Sequence, residues 1–337
     1  MKPPRSGFFD GCKVAVTGGA GLIGSFVAEQ LVNAGARVVV VDDFSKGQRA
    51  NLKGIAGRIE VREGNLEDQA FAEEALGGIE MVFHLASRAF GVGYSSAHHL
   101  DMLEHNERIN NNLFSAARRT RPKRIQVVSS SCVYPDDGPD TVPELPLFTG
   151  EPEAVNLGYG WAKRFLEQKA VVFQGQMGIP VSIVRPFNIY GERYNWVGQY
   201  SQAIPMLVKR VMDGADPVMI WGSGNQRRNY LHATDCARAM VSVMASGFTE
   251  PVNIGTEDTV TMRELVGLIC RLSKVSPQVV TDTTKPEGRF IKSADSRRLR
   301  AVVPDFHVAV GLEEGIARMI GWYHATFGLG AALGAAT

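Results

Sequence analysis

A short apolar run, Lys13-Val-Ala-Val-Thr17, feeds straight into the loop Gly18-Gly-Ala-Gly-Leu-Ile-Gly24. Residues 22–34 then repeat Ile23, Val27, Leu31 and Ala34 at helical spacing, and Gly35 follows as a helix stop. A second run, Arg37-Val-Val-Val-Val41, is uniformly β-branched and ends at Asp42. Runs of this kind belong to strands buried on both faces, as in a parallel sheet. Strand, tight turn, helix and strand in this order leave few folds open, because parallel strands are joined by right-handed crossovers. The rhythm continues, with strands expected at 59–62, Met81–His84, 125–129 and 181–185, and helices at 68–76, 106–119 and 159–173. The expected class is α/β, a doubly wound parallel sheet of Rossmann type.

After Asn188 the alternation stops. Helices are expected at 203–213, 233–245 and 262–272 and a strand at Val218–Trp221, which together read as a smaller, interleaved C-terminal substrate-binding region. The expected division is 11–187 for a nucleotide-binding domain carrying the chemistry, 188–325 mainly for substrate, and 326–337 as a disordered tail with little to bury. Residues 135–158, rich in Pro, Asp, Glu and Gly, read as a loop over the site.

The glycine loop has the context that a dinucleotide fingerprint requires. Gly18, Gly21 and Gly24 follow a strand and open a helix, so the backbone can approach a pyrophosphate while the helix N-terminus offers unpaired N–H groups. Asp42 closes the second strand, where an acid hydrogen-bonds the adenosine ribose and repels a 2′-phosphate, which favours NAD over NADP. Asp43 is the alternative ribose ligand, with Asp42 then a strand-end cap. Asn65, in Glu-Gly-Asn-Leu66, is either an adenine contact or a turn residue.

The chemistry is carried by Tyr159-Gly-Trp-Ala-Lys163. Four residues apart on a helix, the phenol and the ammonium share a face. A phenol titrates near pH ~10 unaided, and a fixed cation beside it favours phenolate and makes it a usable base. A dinucleotide site with an activated tyrosine points to hydride transfer at an alcohol carbon.

Charge excludes other classes. Thirty-six Lys and Arg against 35 Asp and Glu leave a net charge of +1, with no footprint for nucleic acid or an anionic membrane. No run approaches the ~18 apolar residues of a membrane span, and the start of the chain lacks a signal-peptide core. Cys12, Cys132, Cys236 and Cys270 are scattered, as in a cytoplasmic protein with free thiols. No cluster has metal-ligand spacing.

Taken in order, the glycine loop, Val-Phe-His-Leu-Ala86, Ser-Ser-Ser-Cys-Val-Tyr134, Tyr159-x-x-x-Lys163, Arg185-Pro-Phe-Asn-Ile-Tyr-Gly191, Arg228-Asn-Tyr-Leu-His-Ala-Thr-Asp235 and Val252-Asn-Ile-Gly255 resemble the extended short-chain dehydrogenase/reductase family from Lys13 to about His324. Most of its members act on nucleotide sugars. The resemblance implies a hydroxyl at Ser130, with neighbours Ser129 and Ser131, binding substrate while Tyr159 removes the proton. It also implies cofactor contacts at Leu22, Ile23, Leu66, Leu85, Ala86 and Asn106, with Lys163 on the nicotinamide ribose. A substrate diphosphate would meet Asn188 and Arg228, with Arg227 and Arg289 as competitors, and a dimer would form through the helices expected at 106–119 and 159–173.

Cys132 stands where relatives of the UDP-galactose 4-epimerase type carry Thr. Together with Gly91-Val-Gly-Tyr94 it resembles GDP-mannose 3,5-epimerase, in which a cysteine exchanges protons beside a transient 4-ketone. Substrate contacts are accordingly expected at Gly91, Tyr94 and Ser131, and acid/base work at Cys132, whose alternative is a small strand-end packing residue. The sequence departs from that enzyme after Trp196, where Val197 replaces its second acid/base, a lysine. Ser131 and Cys132 also replace the Asp-Glu pair of nucleotide-sugar 4,6-dehydratases. The expected function is an NAD-dependent nucleotide-sugar epimerase acting at C4, or at C3 or C5 through Cys132. A dehydratase and a silent NAD-binding sensor are the alternatives.

Overall fold

The structure, a computed structural model, describes residues 7–196, 203–285 and 287–328. The expected tail falls outside them from residue 329, as does Val197. Among the described residues seven strands form one parallel sheet: Lys13–Thr17 (β1), Arg37–Asp42 (β2), Ile59–Glu63 (β3), Met81–His84 (β4), Arg124–Val128 (β5), Val181–Pro186 (β6) and Pro251–Ile254 (β7). Their spatial order is β7-β6-β5-β4-β1-β2-β3. The strand order reverses between β1 and β4, where Thr17 lies opposite His84 on one side and Val41 on the other. In doubly wound sheets ligands bind beyond the carboxyl ends of the strands at this switch point.

The central strands bury nearly all their side chains, which is why they read as unbroken apolar runs. Helices Leu22–Asn33 and Ala233–Ser246 cover one face through Val27, Leu31, Ala237 and Met240. Helices Gln69–Ala75, His99–Thr120 and Leu157–Met177 cover the other through Leu76, Leu113, Leu166 and Phe173. A third core joins helices Ala203–Met212, Met262–Ser273 and Leu312–Phe327 around Leu207, Leu265, Ile316 and Tyr323.

The two regions exchange strands. β7 follows Asn188 in the chain yet completes the main sheet beside β6. Thr141–Val142 precedes it yet pairs with Ile291–Ala294 in a second, four-stranded sheet, which also holds Arg227–Arg228 and Val260–Thr261. This interleaving fixes the second region against the carboxyl ends of the main strands.

Several of the motifs noted above serve this packing rather than the cavity. Arg185 forms a forked pair with Glu167 at 2.8 and 2.6 Å and donates to the Tyr134 hydroxyl, which donates in turn to Asn253 Oδ1. Glu167 also accepts from Ser129. One buried network therefore ties the ends of β5, β6 and β7 to the helix that carries Tyr159.

Candidate active site

A cavity of about 670 Å³ opens at the switch point and runs into the second region. At its nucleotide end the backbone, not side chains, does the shaping. Gly18 has φ +66°, and a Cβ there would stand 2.8 Å from the Ala86 amide nitrogen; a Cβ on Gly24 would collide with the Gly18 carbonyl. Gly21 is the N-cap of helix Leu22–Asn33 and supplies no side-chain acceptor, so the first-turn amides remain for an anion. Gly18, Gly21, Leu22, Ile23 and Gly24 all line the cavity. This cradle fits a dinucleotide pyrophosphate.

Asp42, Asp43, Asn65, Leu66, Leu85 and Ala86 line the same end. Asp42 accepts from the Ala20 and Phe44 amides, both at 2.9 Å, tying the glycine loop to the end of β2. Burial nonetheless raises its carboxyl above the usual range. Asp43 is exposed and accepts from Ser45. Asn65 does what a turn asparagine does, accepting from the Glu67 amide at 2.9 Å, while also lining the cavity.

At the chemical end, Tyr159 and Lys163 occupy one face of Leu157–Met177, with Lys163 Nζ 5.4 Å from the Tyr159 ring centroid. Lys163 Nζ donates to the Val128 carbonyl at 2.8 Å, and burial brings its pKa down to about 8. Ser130 and Ser87 line the cavity together with Tyr159. The expected lowering of its pKa by Lys163 is not found: burial pushes the phenol up, and the adjacent Cys132 adds to this. The two serines work the other way but do not overcome desolvation.

Ser130, Ser131 and Cys132 follow β5 into the same cavity. Ser130 Oγ accepts from the Cys132 amide at 3.2 Å and caps the short turn Ser131–Val133. Burial raises the Cys132 thiol to about 12, and the nearby Glu153 carboxylate contributes to the rise. On the opposite wall Arg228 and Lys292 are register partners on neighbouring parallel strands, and both line the cavity. Asn188 joins them from the end of β6, with φ +44° and its Nδ2 donating to Asn229 Oδ1 at 3.1 Å.

Four expected or alternative contacts are placed elsewhere. Asn106 stands behind the wall with its amide fully used: Oδ1 accepts from Ser87 Oγ and the Arg88 amide, and Nδ2 donates to the Arg88 and Met102 carbonyls. It shapes the loop after β4 and does not reach the cavity. Arg289 spends its guanidinium on the carbonyls of Pro135, Gly138 and Pro139, fixing the 135–139 turn. Tyr94 stacks on His98 at 3.9 Å, outside the cavity lining, whereas Gly91 lies within it. Arg227 turns to Thr259 and leaves the cavity to Arg228.

Sequence reasoning missed Ser87, Glu153 and Lys292. Ser87 lies one residue beyond the Val-Phe-His-Leu-Ala86 motif. Glu153 sits inside the expected loop, and Lys292 in a strand whose partners are remote in the chain. Glu153 and Lys292 pair at 3.2 Å, both nearly buried. No His/Cys/Asp/Glu cluster among the described residues could hold a metal.

Comparison with known proteins agrees with this geometry. Residues 14–255 match the model of the NAD dependent epimerase/dehydratase family. A UDP-N-acetyl-alpha-D-glucosaminuronate decarboxylase from Bacillus cytotoxicus is 30% identical, over 91% of this chain and 96% of that protein. Among solved structures, the UDP-glucose 4-epimerase of Thermotoga maritima with UDP-glucose superposes with a TM-score of 0.84 at 26% identity, covering 94% of this chain and 99% of its own. The dTDP-glucose 4,6-dehydratase DesIV of Streptomyces venezuelae, with NAD bound, does so at 0.82 and 26%, covering 94% and 98%. With the glycine cradle, Asp42 and the Ser130/Tyr159/Lys163 group in place, the chain belongs to the NAD-dependent epimerase/dehydratase family of nucleotide-sugar enzymes, with NAD as its cofactor.

Proposed function

We propose that the protein is a nucleotide-sugar epimerase that oxidises its substrate transiently at C4 and inverts a carbon flanking it. The carrying observation is the Cys132 thiol, set in the cavity wall two residues beyond Ser130 and close enough to Tyr159 to influence its ionisation. Bound NAD supplies the hydride acceptor and later the hydride donor, so the reaction leaves no net redox change. Ser130 holds the sugar hydroxyl and Tyr159 takes its proton, while Lys163 would hold the nicotinamide ribose. Arg228, Lys292 and Asn188 form a cationic and amide wall suited to the diphosphate; an arginine fork meets paired phosphate oxygens well. A ketone at C4 acidifies the C–H bonds at C3 and C5, and Cys132 lies where a proton can be exchanged there.

Two other outcomes have specific support. The likeness to a UDP-glucose 4-epimerase favours inversion at C4 by turning the ketosugar. The likeness to a 4,6-dehydratase favours elimination, against which stand Ser131 and Cys132 in place of an acidic pair. A division of labour at about residue 188, a cytoplasmic location and a homodimer belong to the same reading. The location is supported by the four free cysteines, and among the described residues no helix is long and apolar enough to cross a membrane. The dimer is supported by an outward apolar stripe on Leu157–Met177.

The test is incubation with UDP-, GDP-, dTDP- and CDP-sugars in deuterated water, read by mass spectrometry and NMR. Deuterium at C3 or C5, lost in Cys132→Ala, is the expected result. Epimer without deuterium assigns C4 inversion, and a product lighter by one water assigns dehydration.

A further inference from the structure

The loops that leave β2 and β4 emerge on either side of the glycine turn, because the strands stand in the order β4-β1-β2. A bond between those two loops therefore passes over the turn and the cofactor cradle it forms. Lys46 makes such a bond. Its ammonium donates to the Ala89 carbonyl and stands 5.3 Å from the centroid of the Phe90 ring, within cation–π reach. Lys46, Ala89 and Phe90 all line the cavity, together with Gly18, Asp42 and Asp43. Both piers of this arch are fixed from behind. Residues 43–48 are tied down by the Phe44 amide on Asp42 Oδ1 at 2.9 Å and by the Gln48 amide on the Ala20 carbonyl at 3.0 Å. Gly47 lies so close to the glycine loop that a Cβ there would stand 2.8 Å from Ala20 Cβ. The loop after β4 is held by Asn106, which exchanges hydrogen bonds with the Arg88 amide and carbonyl, each at 3.0 Å.

The ammonium at the crown of the arch lacks a counter-charge. Arg88 and Arg193, which line the same cavity, pair with Glu67 at 3.1 Å and Glu29 at 2.6 Å. Lys46 has no carboxylate at ion-pair distance among the described residues, and burial brings its pKa down to about 8. Asp42 and Asp43, its neighbours in the chain, accept from Ala20, Phe44 and Ser45 instead. An ammonium carries three donors, and a partly buried one without a counter-anion is unfavourable. The Ala89 carbonyl takes one of the three. We propose that Lys46 is a cofactor-holding residue: it closes an arch over the nucleotide end of the cavity and takes the NAD pyrophosphate as its counter-anion, so that NAD is released slowly. Holding the reduced cofactor until its hydride returns is the use this serves, and that use rests on the epimerase reading above.

Exchange of radiolabelled NAD, loaded on the purified protein, against an excess of unlabelled NAD tests this with no sugar present. Its outcome is therefore independent of the reaction that the nucleotide-sugar panel assigns. Lys46→Met keeps the aliphatic stem and removes the charge and the donor. Release should quicken by about tenfold or more, the effect of losing one charge-assisted hydrogen bond, while protein stripped of NAD melts at the wild-type temperature. Lys46→Gln keeps a donor for the Ala89 carbonyl without the charge and should release NAD nearly as fast as Lys46→Met. Lys46→Arg keeps both and should hold NAD like the wild type. An unchanged rate in Lys46→Met overturns the proposal, and wild-type retention in Lys46→Gln overturns the counter-anion role. A stripped Lys46→Met that melts well below the stripped wild type makes Lys46 a support of the fold and overturns the proposal as well. If Lys46→Met does not fold, the wild type and Lys46→Gln decide. A wild type that loses its NAD on gel filtration overturns the proposal, and one that keeps it where Lys46→Gln does not supports it.

Discussion

Tyr159 is the residue whose environment decides most. Ser87 and Ser130 line the cavity with it and Lys163 Nζ stands 5.4 Å from its ring centroid, yet burial pushes the phenol's pKa up. Deprotonation of the phenol would be favoured by the positive charge that an oxidised nicotinamide supplies. Tyr159→Phe removes the hydroxyl and nothing of the ring packing. Turnover should fall by about 10³-fold, within the range for loss of a positioned acid/base, while NAD stays bound and the melting temperature moves little. Retained activity would show that Tyr159 is not the base. The tyrosine and lysine were legible in the sequence because one helix carries both at a fixed spacing. Glu153 and Lys292 were not, because one lies in a loop and the other in a short strand that reaches the cavity only through tertiary pairing with Thr141–Val142 and Arg227–Arg228. Asn106 and Arg289 lie outside the cavity lining for the opposite reason: their polar groups are taken up by Ser87, Arg88 and Met102 in one case and by the carbonyls of Pro135, Gly138 and Pro139 in the other.

Among the elements, the glycine turn between β1 and helix Leu22–Asn33 is the one with least freedom. Gly18 accepts φ +66°, donates its amide to the Val41 carbonyl at 2.8 Å and lets the loop after β4 come within a Cβ's reach. Gly18→Ala adds the left-handed strain of an L-residue, about 1 kcal/mol, and drives a methyl into the Ala86 backbone. Bound NAD, measured by absorbance after denaturing the purified protein or by calorimetry, should fall at least tenfold, with the sheet still formed by circular dichroism. Full NAD retention would mean that the cradle is looser than its contacts indicate. The central strands expected in the first region were legible because burial on both faces leaves unbroken apolar runs, whereas the edge strand Ile59–Glu63 is largely exposed and shows only the alternation of Ile59 and Val61 with charged residues. Helix His99–Thr120 begins seven residues before the expected 106, since its first turns mix Leu100 and Met102 with His and Asp and give a weak stripe. The strand Ile291–Ala294, with only Ile291 and Ala294 apolar, offers no alternation to read. Helix Leu312–Phe327 carries Ile316, Met319, Ile320 and Tyr323 at helical spacing, the face it buries in the third core.

At the scale of the whole molecule, the cavity lies between the carboxyl ends of one sheet and a region that shares strands with it, so both walls depend on the same buried network. Helix Leu157–Met177 joins that network to the surface. Its inner side holds Lys163, Leu166 and Glu167, and its outer side carries Trp161, Phe165 and Val172 at helical spacing, with Phe165 and Val172 exposed at 38% and 47%. The adjoining helix His99–Thr120 adds Leu100, exposed at 65%. Two such helices meeting their copies across a twofold axis would cover these side chains in a four-helix arrangement, the isologous solution that a single patch allows. Placing charges there by Phe165→Glu with Val172→Glu should convert a dimer into a monomer in size-exclusion chromatography with light scattering. Neither residue touches the cavity, so the folded monomer keeps NAD. Because Tyr159 and Lys163 stand on the same helix, turnover should fall several-fold as their support loosens. A variant that remains dimeric would place the interface on another face, and a wild type that elutes as a monomer would leave the apolar stripe without a partner of its own kind.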